Sequence, residues 1–245
     1  MQSSVKIMVN PNFLQIKGIL DSLPETFRNN KGAVIYKGRN ELRQIEYKGK
    51  QYVAKSFHTN PINRFVYGIF RKSKAERSYL HALKLREIGV GTPEPIASMD
   101  IRKWGVLEDS YYLSCRSDCP HVYVDIFSHK FACEDELMRE IGRNVAIMHD
   151  NGLAHLDFGR GNILFRETTE GKVKIDIVDL NRMYFGELSM EKGCKNLERL
   201  PANPRQHRLI AEEYAKVRGF DADRCYELIR TYRSTQPGKI DAEGF

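Results

Sequence analysis

The segment His155-Leu-Asp157-Phe-Gly-Arg160-Gly-Asn162-Ile-Leu164 limits this chain more than any other stretch. Its glycines and turn-forming polar residues cannot continue a helix, and strongly patterned elements bound it on both sides. Upstream, Leu137, Ile141, Val145 and Met148 recur at helical spacing and predict an amphipathic helix over Glu134 to Asp150, stopped by Asn151-Gly152. Downstream, Ile163 to Arg166 and Val173 to Val178 predict two short strands. The fold must therefore present a polar loop where a helix gives way to strands, a common place for chemistry on a rigid scaffold.

The polar residues of that loop form an ordered set. Asp157 and Asn162 lie in it, and Asp179 follows at the end of the second strand. Phosphoryl transfer needs a carboxylate to orient an attacking hydroxyl, and hard oxygens to hold magnesium beside a triphosphate. Asp157 is therefore the candidate catalytic base or hydroxyl-orienting group, and Asn162 and Asp179 are the candidate Mg2+ ligands. ATP is the expected phosphate donor, and His155 is expected to brace the loop. Taken singly, Asp157 and Asn162 also suit a turn among glycines. The order lysine, glutamate, loop, apolar strand, aspartate is what gives the set its specificity.

The first two members of that order lie upstream. From Ala33 to Phe57 the pattern is strand-like, with Glu41 to Tyr47 and Gln51 to Phe57 flanking the turn Lys48-Gly49-Lys50. Lys55 ends the alternating run Gln51-Tyr-Val-Ala-Lys55, where a lysine either points into a cleft toward nucleotide phosphates or is solvated on an outer face. Ser73 to Ile88 predicts a helix, ended by Gly89 and Gly91 and barred from continuing by Pro93 and Pro95. Within it, Glu76 shares a face with Tyr79, Leu80 and Leu83. An inward carboxylate needs a cation, for which Lys55 is the natural candidate; the alternatives are a rim position and pairing with Arg77 or Lys72. Ile96 to Arg102 and Ser110 to Arg116 predict further strands. Residues 1–117 thus form a lobe of antiparallel sheet with one long helix, expected to contact nucleotide phosphates. Ser117-Asp-Cys-Pro120 is a candidate hinge. Residues 118–245 form a mainly helical lobe for catalysis, metal and acceptor, helical from Leu188 onward, broken by Pro201 and Pro204, with a polar tail after Pro237.

Composition narrows the partners. The chain has 245 residues and a net charge of +7, from 39 Lys+Arg against 32 Asp+Glu, which favours an anionic partner. The charge is spread along the chain without a motif for reading nucleic acid, so no nucleic-acid partner is expected. Five scattered cysteines make no disulfide framework, and Cys115 and Cys119 lack a second pair for zinc, which points to a reducing, cytoplasmic setting. The longest near-apolar stretch, Phe65 to Phe70, is far short of the ~20 residues of a membrane span. Met1 to Leu20 lacks the apolar core and cleavage site of a secretory leader. Arg64 to Lys74 mixes aromatic and cationic residues; it suits either an anionic membrane face or a cover over the first lobe. His149, His155 and Asp157 do not share a helical face, since Gly152 intervenes, so they do not make a metal-hydrolase site.

With these residues in place, the sequence resembles the protein-kinase-like superfamily, and within it the lipopolysaccharide kinases, the Kdo/heptose kinases of the bacterial inner core. The matching residues are Tyr36-Lys-Gly38-Arg-Asn40, Val53-Ala-Lys55, Phe70-Arg-Lys-Ser-Lys-Ala-Glu76 and Ile88-Gly-Val-Gly-Thr-Pro93-Glu-Pro95. They continue with His155-Leu-Asp157 through Asn162 and with Val178-Asp179-Leu-Asn181-Arg182. The resemblance implies an α+β, bilobal, protein-kinase-like fold. It implies transfer of the γ-phosphate of ATP to a sugar hydroxyl, Kdo or heptose, of an anionic core glycolipid, by a protein peripheral on the cytoplasmic face of the inner membrane. It also implies the roles given above to Lys55, Glu76, Asp157, Asn162 and Asp179. The phosphate hairpin offers only Gly32 and Gly38, Asp179-Leu-Asn replaces Asp-Phe-Gly, and no Ala-Pro-Glu follows, which sets the chain apart from regulated protein kinases. Gly159 stands where those kinases often carry lysine, and the adjacent Arg160 is a candidate for neutralising transition-state charge. A small atypical serine/threonine protein kinase and a nucleotide-binding pseudokinase are the alternatives.

Overall fold

A computed structural model describes residues 3–57, 72–168 and 171–234. The chain divides into two compact units: Met1–Lys84 with Pro93–Arg116, and Leu85–Thr92 with Ser117–Phe245.

The first unit is built on a sheet of six strands: β1 (Ser3–Val9), β2 (Ala33–Lys37), β3 (Asn40–Tyr47), β4 (Lys50–Phe57), β5 (Pro95–Lys103) and β6 (Val106–Cys115). Their order is β1-β5-β6-β4-β3-β2, and every neighbouring pair is antiparallel. The β3–β4 hairpin closes through Lys48 and Gly49, whose positive φ values of 50° and 73° match the twist of its strands. One face of the sheet carries Tyr52, Ala54, Ala97, Met99, Tyr111 and Leu113, packed against Ile16, Ile19, Leu20 and Leu23. Three of those four lie on helix α1 (Lys17–Arg28). Helix α2 (Lys74–Glu87) contributes Glu76, which bonds to Lys6 of β1.

Two features depart from the sequence expectation. The lobe expected to carry one long helix also has α1, and β1 forms an unexpected edge strand. Ile16, Ile19, Leu20 and Leu23 have helical spacing, but Gly18 among them and Pro24 directly after them disguise it. The strand β1 is largely exposed and gains its conformation by pairing with β5, far away in the chain, so no local pattern announces it. In α2 the buried stripe runs through Ala75, Glu76, Ser78, Tyr79, Ala82 and Leu85, whereas Leu83 is exposed.

The second unit packs α3 (Glu134–Asp150) against α5 (Pro204–Arg218), with α4 (Met190–Asn196) and α6 (Ala222–Ser234) beside them. Leu137, Ile141, Val145 and Met148 are fully buried, as their spacing predicts. A Cβ on Gly142 of α3 would lie 2.5 Å from the Ile210 carbonyl oxygen of α5, so the close approach of these helices requires glycine there. Pro204, expected as a breaker, instead opens α5, behind an Asn203 cap whose side chain accepts from the Gln206 N–H. Two small sheets complete the unit. In one, β9 (Ile163–Glu167) lies between β10 (Val173–Ile177) and β7 (His121–Val122); in the other, β8 (Leu153–His155) pairs with β11 (Met183–Phe185). The basic-aromatic stretch Arg64–Arg71 and the tail after Pro237 lie outside the described residues.

Candidate active site

In the first unit, Lys55 and Glu76 are both buried, 8% and 6% exposed. The register places Lys55 opposite Tyr112 of β6, and the residues two positions along pair as Ser110 with Asp100 of β5 and Asp100 with Lys6 of β1. Alternation then puts Lys55, Asp100 and Lys6 on one sheet face. The Lys55 ammonium lies 5.1 Å from the Phe57 ring centroid. Glu76 Oε2 accepts from Lys6 Nζ at 2.8 Å, and the Glu76 N–H donates to Ser73 Oγ at 2.9 Å. Among the described residues, Glu76 thus bonds to Lys6, supplied by the strand that sequence patterning does not reveal. A second carboxylate, Asp100, lies close by and accepts from Ser110 Oγ at 2.8 Å. Burial raises the Asp100 pKa above the ordinary carboxylate range; bonds from Ser73 and Ser110 oppose this, and the Glu76 charge adds to it.

In the second unit, the loop after β8 rests on a buried relay of neutral side chains that ends on the Arg218 guanidinium. His155 is fully buried; its Nε2–H donates to the Val178 carbonyl at 3.1 Å, and its Nδ1 accepts the Asp157 N–H at 3.1 Å. Both bonds require the neutral Nε2–H tautomer, and burial lowers the His155 pKa accordingly. Asn196 of α4 donates through Nδ2 to the His155 carbonyl at 2.9 Å, and its Oδ1 accepts His149 Nε2–H at 3.1 Å. His149 Nδ1 accepts from the Tyr214 hydroxyl at 2.9 Å, and that hydroxyl oxygen accepts from Arg218 Nη1 at 2.8 Å. Burial pushes the His149 pKa down to about 4. Gly193 lets α4 close over this relay, because a Cβ there would strike the Tyr214 hydroxyl.

The loop holds Asp157, Asn162 and Asp179 together. Asn162 Nδ2 donates to the Asp157 carbonyl at 2.9 Å, which turns the amide oxygen, the atom a hard cation takes, away from that bond. The β9–β10 ladder is continued by the Val178 N–H donating to the Asn162 carbonyl at 3.0 Å, so Asp179 stands at the same end of the hairpin as Asn162. Asp179 has φ 61°, a left-handed conformation that is rare outside glycine and concentrates at functional sites, and Asn181 Nδ2 donates to its carboxylate.

The Asp157 carboxylate has two guanidinium partners. Arg182 Nη1 donates to Oδ1 and Oδ2 at 3.0 and 2.9 Å, and Arg199 Nη1 donates to Oδ1 at 2.9 Å. Arg182 arrives because the Leu156 N–H donates to the Arg182 carbonyl at 3.0 Å, extending the β8–β11 ladder, and Arg199 ends the short 3-10 turn after α4. Among the described residues, the cations at Asp157 are these two and not its sequence neighbour Arg160. Beside Asp157 lies a cavity of about 300 Å3, walled by Leu156, Tyr184, Lys192, Lys195, Glu198 and Arg199, among others.

Residues 58–217 match the model of the Lipopolysaccharide kinase (Kdo/WaaP) family, a span that includes Glu76, Asp157, Asn162 and Asp179. The chain belongs to that family. It is 30% identical over 132 residues to a 3-deoxy-D-manno-octulosonic acid kinase of Vibrio cholerae serotype O1 (strain ATCC 39315 / El Tor Inaba N16961), covering 53% of this chain and 54% of that protein. It is 36% identical over 118 residues to a protein of the same name from Vibrio vulnificus (strain YJ016), covering 47% and 48%. The chain thus spans about half the length of the curated relatives it matches. Its fold, kinase-like, is shared with a solved structure described as WaaP in complex with acyl carrier protein, at a TM-score of 0.64 and 16% identity, over 94% of this chain and 98% of that one. The family match begins beyond Lys55, so that lysine is singled out by its strand position, whereas Arg182 and Arg199 fall within the match. Sequence reasoning missed both arginines as partners of Asp157, since neither lies in the loop they serve.

Proposed function

We propose that this chain transfers the γ-phosphate of ATP to a hydroxyl of an inner-core lipopolysaccharide sugar, Kdo or heptose. The observation that carries the reading is the junction of Asp157, Asn162 and Asp179 at one end of a hairpin, in a chain of the lipopolysaccharide kinase family.

A carboxylate accepts about four hydrogen bonds. Three of those places on Asp157 are filled by Arg182 and Arg199, which leaves one, on Oδ2, to accept from the acceptor hydroxyl. That fixes the direction of the hydroxyl oxygen. A loose transition state asks for this kind of positioning more than for a strong base. The Asn162 amide oxygen and the Asp179 carboxylate would hold Mg2+, and Mg2+ supplies charge neutralisation at the phosphates when bound. Lys55 would reach the nucleotide phosphates, with Glu76 of α2, bonded to Lys6 of the same sheet face, holding charge balance. The net charge of +7 supports an anionic glycolipid acceptor. Among the described residues no helix is long and apolar enough to cross a membrane. A peripheral place on the cytoplasmic face of the inner membrane would bring the chain to such an acceptor.

The test is labelled ATP with magnesium, offered deacylated core oligosaccharide, free Kdo, heptose and a generic protein. Label on the saccharide is the expected result. Label on protein alone, or on nothing, overturns the reading.

A further inference from the structure

The cavity beside Asp157 has a composition that the transfer chemistry does not use. Lys192, Lys195 and Arg199 stand at i, i+3 and i+7 along α4 and the following turn, so they share one side. Three cations face one carboxylate, Glu198, in the same wall. Both lysines are exposed, and the Lys195 ammonium lies 5.8 Å from the Tyr232 ring centroid. Apart from Asn196, the remaining wall is apolar and aromatic, with Leu156 41% and Tyr184 38% exposed. A polyol ring with an acidic substituent matches both parts: C–H faces lie on an aromatic and aliphatic wall, and an anion meets ammonium and guanidinium groups. At about 300 Å3 the cavity is large enough for one sugar. Its position is equally telling. Arg199 is at once a wall of the cavity and a bond partner of Asp157, at 2.9 Å, and Leu156 directly precedes Asp157.

We propose that this cavity is the acceptor-sugar subsite, and that Lys192, Lys195 and Arg199 bind an anionic group of that saccharide, a carboxylate or a phosphate. This rests on the kinase reading above. Tyr184 supplies the surface against which the ring lies. Arg199 links the two tasks, because the guanidinium that meets the acceptor anion also orients Asp157.

Calorimetric titration without nucleotide tests the subsite by itself. The probes are 3-deoxy-D-manno-octulosonic acid, its carboxyl-reduced analogue, heptose and a heptose phosphate. The wild-type protein should bind a charged probe about tenfold more tightly than its uncharged counterpart, and raised salt should erode that preference. Preference for the acid over its reduced analogue identifies a carboxylate site; preference confined to the heptose phosphate identifies a phosphate site. Lys192→Ala with Lys195→Ala should remove most of the preference, while Tyr184→Ala should weaken charged and uncharged sugars alike. Both lysines are exposed, and circular dichroism would check that the variants remain folded. Equal binding of charged and uncharged probes, or a preference that survives in the double variant, overturns the proposal. The kinase reading fails separately, if the preference is present but no sugar receives phosphate from ATP.

Discussion

The two units hold their polar residues by opposite means. In the first, charge is buried: Lys55, Glu76 and Asp100 are each under 10% exposed, and the pairing that balances them runs between strands and a helix distant in sequence. In the second, the charges of the candidate site are at the surface, where Asp157, Arg182 and Arg199 are 31%, 54% and 50% exposed in their side chains, and the histidine, asparagine and tyrosine beneath them are neutral, with Arg218 closing the relay against Asp150. Burying a charge is expensive unless it is paired, whereas a neutral relay is satisfied by hydrogen bonds alone. The charges of the first unit should therefore carry stability along with any function, and the surface charges of the second should be separable from stability.

That contrast can be broken by experiment. The largest effect expected is on Asp157→Ala, which should lower phosphate transfer by roughly 10²–10⁴-fold. Its melting temperature should barely move, because the two arginines left behind are half in water. A large drop in melting temperature would show that the loop depends on the carboxylate. Next comes the relay. His149 has a pKa of about 4 against an ordinary 6.5, so the unfolded chain takes up its proton first as pH falls. Stability is complete above about pH 6.5 and should decline by roughly 3 kcal/mol as pH falls to about 4. Urea unfolding across that range would measure it, and His149→Gln should flatten the profile.

Smaller effects sharpen the comparison. Glu76→Gln should destabilise the fold by about 1–3 kcal/mol, since it leaves a weaker acceptor for Lys6 in a buried setting. Lys6→Ala should cost at least as much on the same denaturation curve, because it leaves the buried Glu76 carboxylate charged without this cation. The smallest stability effect expected is for Arg182→Ala, under about 1 kcal/mol. That variant should nonetheless reduce kcat, since Asp157 loses two of its three orienting bonds.

Much of the architecture could be read from local pattern. The helix Glu134–Asp150 showed itself through Leu137, Ile141, Val145 and Met148, and the β9–β10 hairpin through its short apolar runs. Helix α1 was hidden by Gly18 and Pro24, and β1 by a lack of alternating burial. Lys192, Lys195 and Arg199 were not singled out in the sequence, because nothing in their spacing says that they line a cavity beside Asp157.

By itself the sequence offered the order Lys55, Glu76, Asp157, Asn162 and Asp179 as a candidate site, and determined the helix and strands that frame its loop. These follow from spacing over a few residues, where backbone geometry dictates which side chains share a face. Only the tertiary structure decided the partnerships: Lys6 with Glu76 across 70 positions, Arg199 with Asp157 across 42 and Arg182 with Asp157 across 25. A long cationic side chain fits many carboxylates equally well, so strand order and helix packing, rather than residue type, choose the one it meets.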